Sequence, residues 1–386
     1  MSDAHFHRHQ MHHSAMTKNV VLELTLAHTL RMTGISMAGL ILPLYLGTSG
    51  YSLREIILYF LVMAATWVLA LRPAARFNAY YGPIASMAAS LPLTIIWVLC
   101  IAFIDPASQW FLPTAVLWGI FIAQYWQGMR VAFATSLPPK QAGRDIAIVS
   151  GIVLASSAAA PFVGGVIAQE AGIVVLYVAS GAIIALASGA LWMLRGRWKR
   201  KEFHPETVPP QTIRRYLIAN GSSEIEADIS GWFWTLFIFI YVPTYAGVGA
   251  LSSVIITSSI VVSLYVGWRE EQRGAKHYLR EGSILMTGVN IVRIGAQGAS
   301  GVAGINILAG LGHALTETPY VTEYYRHVRE RPSVEYVYWM NFAASSACVL
   351  LLLVLLALTY FFDDKTVLLL ALLIGGPASF AVRYIR

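Results

Sequence analysis

The chain has 386 residues, of which 57% are hydrophobic and only 12% are charged. A soluble domain needs about a quarter of its residues charged to cover its surface, so the composition excludes an ordinary soluble protein and favours one embedded in a lipid bilayer. The net charge of +7 does not indicate a nucleic-acid-binding protein. The lysines and arginines fall in short loops and form no basic face interleaved with aromatic residues.

Twelve apolar segments follow one another along the chain, and each is long enough to cross a hydrocarbon core of about 30 Å as a helix. They are residues 19–47, 53–71, 83–104, 109–134, 146–169, 172–194, 213–243, 248–268, 280–299, 301–325, 335–361 and 366–384. We therefore predict an all-α integral membrane protein with twelve transmembrane helices.

A basic stretch divides these segments into six and six. We predict a His-rich tail over residues 1–18, a first half over 19–194, a linker over 195–212 and a second half over 213–386. Since each half has six segments, both begin on the same side of the membrane, which predicts two parallel repeats.

Orientation follows from the loops. One side carries Arg72 and Arg76, Lys140 and Arg144, the central Arg195–Lys201 stretch, Arg269–Arg280, and Arg326–Arg331. The opposite loops hold only Arg54 and Lys365 as bases. By the positive-inside rule the basic side is cytoplasmic, so we predict an inner-membrane protein with both termini in the cytoplasm.

Ionisable residues inside the apolar segments are the first candidates for function, because each costs about 2.5–3.5 kcal/mol to insert. The candidates for a substrate or proton pathway, with their polar neighbours, are His28, Arg31, Gln124, Gln127, Glu224, Asp228, Asn290, Arg293, His313 and Glu317.

Helical spacing groups some of these candidates. His313 and Glu317 are four residues apart and share one face, so we predict that they line a central cavity and share a proton or bind a polar substrate. Glu224 and Asp228 stack in the same way, and two acids on one buried face favour a protonated form. The alternative is that Glu224 and Asp228 pair with Arg31 or Arg293 and only hold the halves together.

Two loops resemble in part the motif Gly-x-x-x-Asp-Arg-x-Gly-Arg-Lys. The loop after the eighth segment places Gly267, Glu271, Gly274 and Lys276 at motif positions. In the loop after the second segment only Gly82 is intact, and Ala79 stands where the acid belongs. The chain resembles the major facilitator superfamily over essentially its whole length. In that family the loop acid docks on a helix end of the opposite half, which would place Glu271 near Arg144.

Two further elements of that family occur in altered form. Pro161-x-x-Gly164-Gly165 resembles the end of an element associated with exporters, where it mediates helix packing. The family's Arg-x-x-Gln-Gly is present as Gln124-Tyr-Trp-Gln127-Gly128. The arginine often linked to proton coupling is absent there, and Arg130 lies further along the same segment.

The resemblance implies a secondary active transporter that moves a small molecule by alternating access, coupled to protons and favouring export. A nutrient symporter or facilitator for a sugar or organic acid is one alternative, and a non-transporting membrane receptor or assembly protein is another. No phosphate loop, dinucleotide fingerprint or zinc-protease motif is present in the sequence. We therefore predict that the protein is not an enzyme and binds no cofactor or metal. We also predict a monomer that interacts with its substrate, protons and lipid, and with no nucleic acid.

Overall fold

A computed structural model describes residues 3–106, 108–136, 152–153, 155–194, 198–273 and 275–385. These residues form α-helices, short 3₁₀ turns and a π-helical turn, with no β-strand among them. In the predicted first half the helices are α1 (Asp3–Gly39), α2 (Leu42–Thr48), α3 (Leu53–Tyr81), α4 (Pro83–Ile101), α5 (Phe111–Ser136), α6 (Ala160–Glu170) and α7 (Ile173–Met193). In the predicted second half they are α8 (Arg214–Asp228), α9 (Trp234–Tyr241), α10 (Tyr245–Arg273), α11 (Ala275–Arg293), α12 (Gly298–Glu330), α13 (Ser333–Leu358) and α14 (Asp364–Ala381).

Seven helical segments of the described chain are long and apolar enough to cross a membrane. They are Val21–Thr48, Leu53–Tyr81, Pro83–Ile101, Ile173–Trp192, Gly298–Glu330, Ser333–Leu358 and Asp364–Ile385. The predicted fourth, fifth, seventh, eighth and ninth spans are not in this set. The all-helical fold with several candidate membrane spans is therefore confirmed, whereas the number of twelve spans and their arrangement as two repeats stay predictions.

Helix ends follow local capping chemistry. Ser52 and Glu55 form a capping box at the start of α3, in which each side chain bonds the other residue's backbone amide. Asp363 caps α14, and hydrogen bonds from Thr366 lower the pKa of the Asp363 carboxyl. Gly82 joins α3 to α4 with a φ of 95°, a left-handed conformation that glycine adopts without steric cost.

Some boundaries differ from those predicted. Helix α1 begins at Asp3, inside the predicted tail, and is interrupted after Gly39 before α2 begins. The predicted seventh span is not one uniform helix, because a π-helical turn over Ile229–Phe233 separates α8 from α9. Such π turns frequently lie at functional sites, and this one directly follows Asp228.

The predicted halves pack against each other along several helices. Helices α3 and α5 contact α13, and α6 contacts α10. Within the first half α1 lies against α7, where the Ser180 hydroxyl donates to the Gly34 carbonyl at 2.7 Å. The polar residues that face the contacts between halves define the candidate site.

Candidate functional site

A polar network joins α5 to α13. Gln127 is fully buried, donates from Nε2 to the Val334 carbonyl at 2.9 Å and accepts from Asn341 Nδ2 at 3.0 Å. The Arg130 guanidinium donates to Asn341 Oδ1. It also lies over the ring of Tyr324, with Cζ 5.2 Å from the ring centroid. We call Gln127, Arg130 and Asn341 the inter-half network.

One face of α8 carries three polar residues at intervals of four, which places them on one side of the helix. Asn220 accepts from the Tyr320 hydroxyl at 2.5 Å and donates to the Met340 carbonyl at 2.6 Å. Glu224 interacts electrostatically with Arg130 and with Glu317. Asp228 follows, only 4% exposed. This face therefore turns toward α12, α13 and the inter-half network.

Asp228 lies beside a thiol. Cys348 of α13 is next to its carboxylate, and Oδ2 has no hydrogen-bond partner in the structure. Among the described residues, no arginine or lysine lies within ion-pair distance of Glu224 or Asp228. The interaction between Glu224 and Arg130 is thus a longer-range attraction rather than a closed salt bridge.

A second buried arginine lies beside the π turn. Arg293 is 1% exposed and donates from Nη1 to Ser230 Oγ and Asn290 Oδ1, each at 2.8 Å. Ser230 in turn donates to Glu226 Oε1 at 2.7 Å. The Ser230 hydroxyl therefore links the guanidinium of Arg293 to the carboxylate of Glu226, so Arg293 is connected to neither Glu224 nor Asp228.

His313 and Glu317 lie one turn apart on α12 and line a small cavity of about 20 Å³. That volume holds about one water molecule. The other residues of its wall are Ser223, Glu226, Met286, Thr316, Ser379 and Val382, all from the predicted second half. The structure thus brings Glu226 together with the His313–Glu317 pair inside that half.

The two candidates on α1 contact α5. His28 Nδ1 is 2.8 Å from the Tyr125 hydroxyl, and the Arg31 guanidinium lies over the Tyr125 ring, with Cζ 3.6 Å from its centroid. Both side chains are buried, and Arg31 Nε has no hydrogen-bond partner. Gln124, by contrast, lines an apolar groove of about 470 Å³ with Thr66 and Pro73.

Sequence reasoning did not single out several residues of this site. Asn341, Asn220 and Tyr320 are uncharged, so the rule that selects ionisable residues inside spans does not find them. Asn341 could have been found from the sequence, because it is a strongly polar residue that precedes the long apolar run of α13. Ser230 could not, since an isolated serine is common in membrane helices.

The predicted loop residues are described only in part. Gly82 lies against Trp198, and a Cβ at Gly82 would stand 2.7 Å from Trp198 Cγ. Lys276 is exposed at the start of α11. Gly274 and Arg144, and the surroundings of Gly267 and Glu271, lie outside what the structure describes, so the docking of Glu271 stays a prediction.

The glycines of the predicted packing element lie in direct backbone contact with two other helices. A Cβ at Gly164 would stand 2.3 Å from the Met37 carbonyl oxygen of α1, and one at Gly165 the same distance from the Tyr245 carbonyl oxygen of α10. Pro161 meets α10 as well, since a Cβ at Gly249 would stand 2.3 Å from its carbonyl oxygen. Only glycine therefore permits α6 to lie this close to both helices.

Comparisons with known proteins agree with this architecture. Curated protein sequences give no match. Among solved structures, the chain is similar to a bacterial homologue of the iron transporter ferroportin, crystallised in an outward-facing state with soaked iron. The TM-score is 0.69 at 12% sequence identity, over 95% of this chain and 98% of that one. At that identity the likeness shows the fold alone. The sequence itself matches the Major Facilitator Superfamily over residues 24–382, and the chain therefore belongs to this family of membrane transporters.

Proposed function

We propose that this protein is a secondary active transporter that carries a small molecule across the inner membrane by alternating access, coupled to protons. The observation that supports this most is the attraction between Glu224 and Arg130, because Arg130 also bonds Asn341 across the contact between the predicted halves. The buried Asp228 follows Glu224 one turn along α8. Ionisable groups inside a membrane-embedded bundle are expensive and mark ion or substrate pathways.

Protonation of Glu224 would change the contact between halves directly. The ionised carboxylate attracts the Arg130 guanidinium, whereas a neutral carboxyl does not. Without that attraction only the bond to Asn341 and ring contacts would retain Arg130 against the second half. Proton binding would thus favour separation of α5 from α8 and α13, and proton release would favour closure.

The small cavity beside His313 and Glu317 would supply the proton route. Its wall holds an imidazole and two carboxylates around a space of water size, and imidazole commonly serves as a proton shuttle. Glu317 also interacts electrostatically with Glu224. A proton on Glu317 would therefore favour ionisation of Glu224, which makes the two acids sequential carriers.

Export is the direction that we propose, on the strength of the Pro161, Gly164 and Gly165 element between α1 and α10. A nutrient symporter or facilitator would use the same groups with the opposite gradient. A non-transporting receptor of the same fold would need neither proton exchange nor movement of the inter-half network.

The deciding experiment is substrate-dependent proton movement in proteoliposomes loaded with a pH-sensitive dye. The panel consists of lipophilic cations, sugars, organic acids and Fe²⁺, the last because iron is named for the structural neighbour. We expect one class to drive a pH change that Glu224→Gln abolishes. Transport without a pH change would overturn proton coupling, and binding without transport would support the receptor alternative.

A further inference from the structure

The stretch between the two predicted halves lies across the ends of two helices. We name residues 198–207 the linker strap. Trp198 donates from its indole Nε1 to the Ala79 carbonyl at 2.8 Å, and the Lys201 amide donates to the same oxygen at 3.0 Å. Ala79 is in the last turn of α3, where carbonyl groups have no partner within the helix. The strap therefore supplies the missing donors.

Side-chain packing fixes the same end of the linker strap. The Trp198 ring lies against Gly82, where even a Cβ would clash. Arg200 donates from Nη1 to the Tyr80 hydroxyl at 3.1 Å, and its guanidinium lies over the Tyr80 ring at 4.7 Å. The first residues of the strap are thus attached to the first predicted half through α3 and its loop.

The other end of the linker strap is attached to α13. The Trp339 indole donates to the Pro205 carbonyl at 2.9 Å. The Phe203 ring meets the Tyr338 ring edge-on, with centroids 5.1 Å apart. The His204 amide points to Glu335 Oε1 at 3.5 Å. These α13 residues all lie in its first two turns, so the strap bridges the two halves.

We propose that the linker strap is a clamp. It holds the transporter closed on the side of the basic loops, in place of the motif acid for which Ala79 stands. The two roles of that acid are divided here. Glu335, 9% exposed in the first turn of α13, places a carboxylate at the helix N-terminus, where it interacts favourably with the helix dipole. The strap supplies the physical connection from there to α3.

This clamp rests on the proposed alternating access, because it has a role only if that side opens. Opening requires the end of α3 to move away from the start of α13. Such a movement draws the attachment points of the strap on α3 and α13 apart. The bonds at both ends of the strap therefore favour the closed state, and each indole bond contributes to the free-energy difference between the closed and open states.

Spin labels on the full-length protein test the clamp without any substrate. Cysteines replace Thr135 on α5 and Arg280 on α11, which are exposed and outside the strap. The background carries Cys100→Ser, since Cys100 is exposed while Cys348 is buried. In this background Trp198→Phe and Trp339→Phe are combined, because phenylalanine retains a ring for packing but removes each indole donor.

We expect the double variant to raise the ratio of long to short distances, by about two- to tenfold for each lost hydrogen bond. The matched control is Trp192→Phe, whose ring is 73% exposed near the same face; it should leave the ratio unchanged. An unchanged ratio in a double variant that keeps its melting temperature would overturn the clamp. Failure of the proposed transport function gives a different result. Substrate-driven proton movement would then be absent, while the double variant would still shift the distances.

Discussion

At the scale of single residues, the contact between the predicted halves relies on amides more than on ion pairs. Asn341 hydrogen bonds with both Gln127 and Arg130, and Gln127 also donates to the Val334 carbonyl. Amides retain their hydrogen-bonding capacity when neighbouring acids gain or lose protons. A contact of this kind can persist through a proton cycle while the charge on Glu224 changes its strength.

Asn341→Ala is expected to destabilise the folded protein, because it leaves the buried polar groups of Gln127 and Arg130 without this partner. Unsatisfied groups of this kind cost about 1–3 kcal/mol, more when charged. The measurement is the melting temperature in detergent. Ser345→Ala is the matched control, since the Ser345 hydroxyl bonds only carbonyls of its own helix and its loss should have little effect. Equal melting temperatures for the two variants would mean that the network does not stabilise the fold.

Glu317→Gln is expected to abolish proton-coupled transport while the protein still folds and inserts. The amide keeps the shape of the side chain beside the small cavity but cannot exchange a proton near neutral pH. Dye-loaded proteoliposomes provide the measurement, with Glu170→Gln on the exposed end of α6 as control. Wild-type proton movement in Glu317→Gln would remove this carboxylate from the mechanism.

His313 and Glu317 show how far the sequence predicts the site. Helical periodicity predicts that the two share a face, and both border one small space inside the second half. That they line a central cavity stays a prediction. The Glu226 carboxylate opposite them could not be predicted, because the π turn at Ile229–Phe233 and the Ser230 bond depend on tertiary packing. Regular helical spacing cannot anticipate an inserted residue or a neutral side chain that links two charges.

At the scale of helices, apolar length predicts the existence of the elements better than their ends. Segments rich in Leu, Val and Ile, such as α7 and α13, lie close to their predicted ranges. Helix α3 instead continues ten residues beyond its predicted end at residue 71, through Pro73, to Tyr81. The charges of Arg72 and Arg76 mark the limit of the apolar segment, not the end of the helix, because a helix can extend out of the hydrocarbon core.

The packing of α6 yields a prediction at this scale. Gly164→Ala and Gly165→Ala should each destabilise the protein, since the added methyl group would overlap a carbonyl oxygen of α1 or α10. Overpacking of this kind costs about 1–3 kcal/mol. The control is Gly189→Ala on α7, where a Cβ meets nothing within 4 Å, and it should not lower the melting temperature. If all three variants have the same melting temperature, α6 does not pack this closely.

At the scale of the whole molecule, family membership and fold establish a multi-pass transporter but not its orientation. The orientation is a prediction from loop charge, because most lysines and arginines of the loops fall on one predicted side. The strap lies on that side too, with Arg200 and Lys201 against the end of α3. A linker clamp and a basic surface on the same face are consistent with a gate that opens to the cytoplasm.

Cysteine accessibility tests this orientation directly. Single cysteines are placed at Ser49, Asp364 and Glu206 in the Cys100→Ser background. Ser49 follows α2 and Asp364 begins α14, whereas Glu206 lies in the linker strap. Because basic loops remain in the cytoplasm, a membrane-impermeant maleimide should label Ser49→Cys and Asp364→Cys on intact cells. Glu206→Cys should react only after permeabilisation, which also serves as the control that its thiol is reactive. Labelling of Glu206→Cys on intact cells would invert the topology, and the linker strap would then close the outer face instead of the inner one.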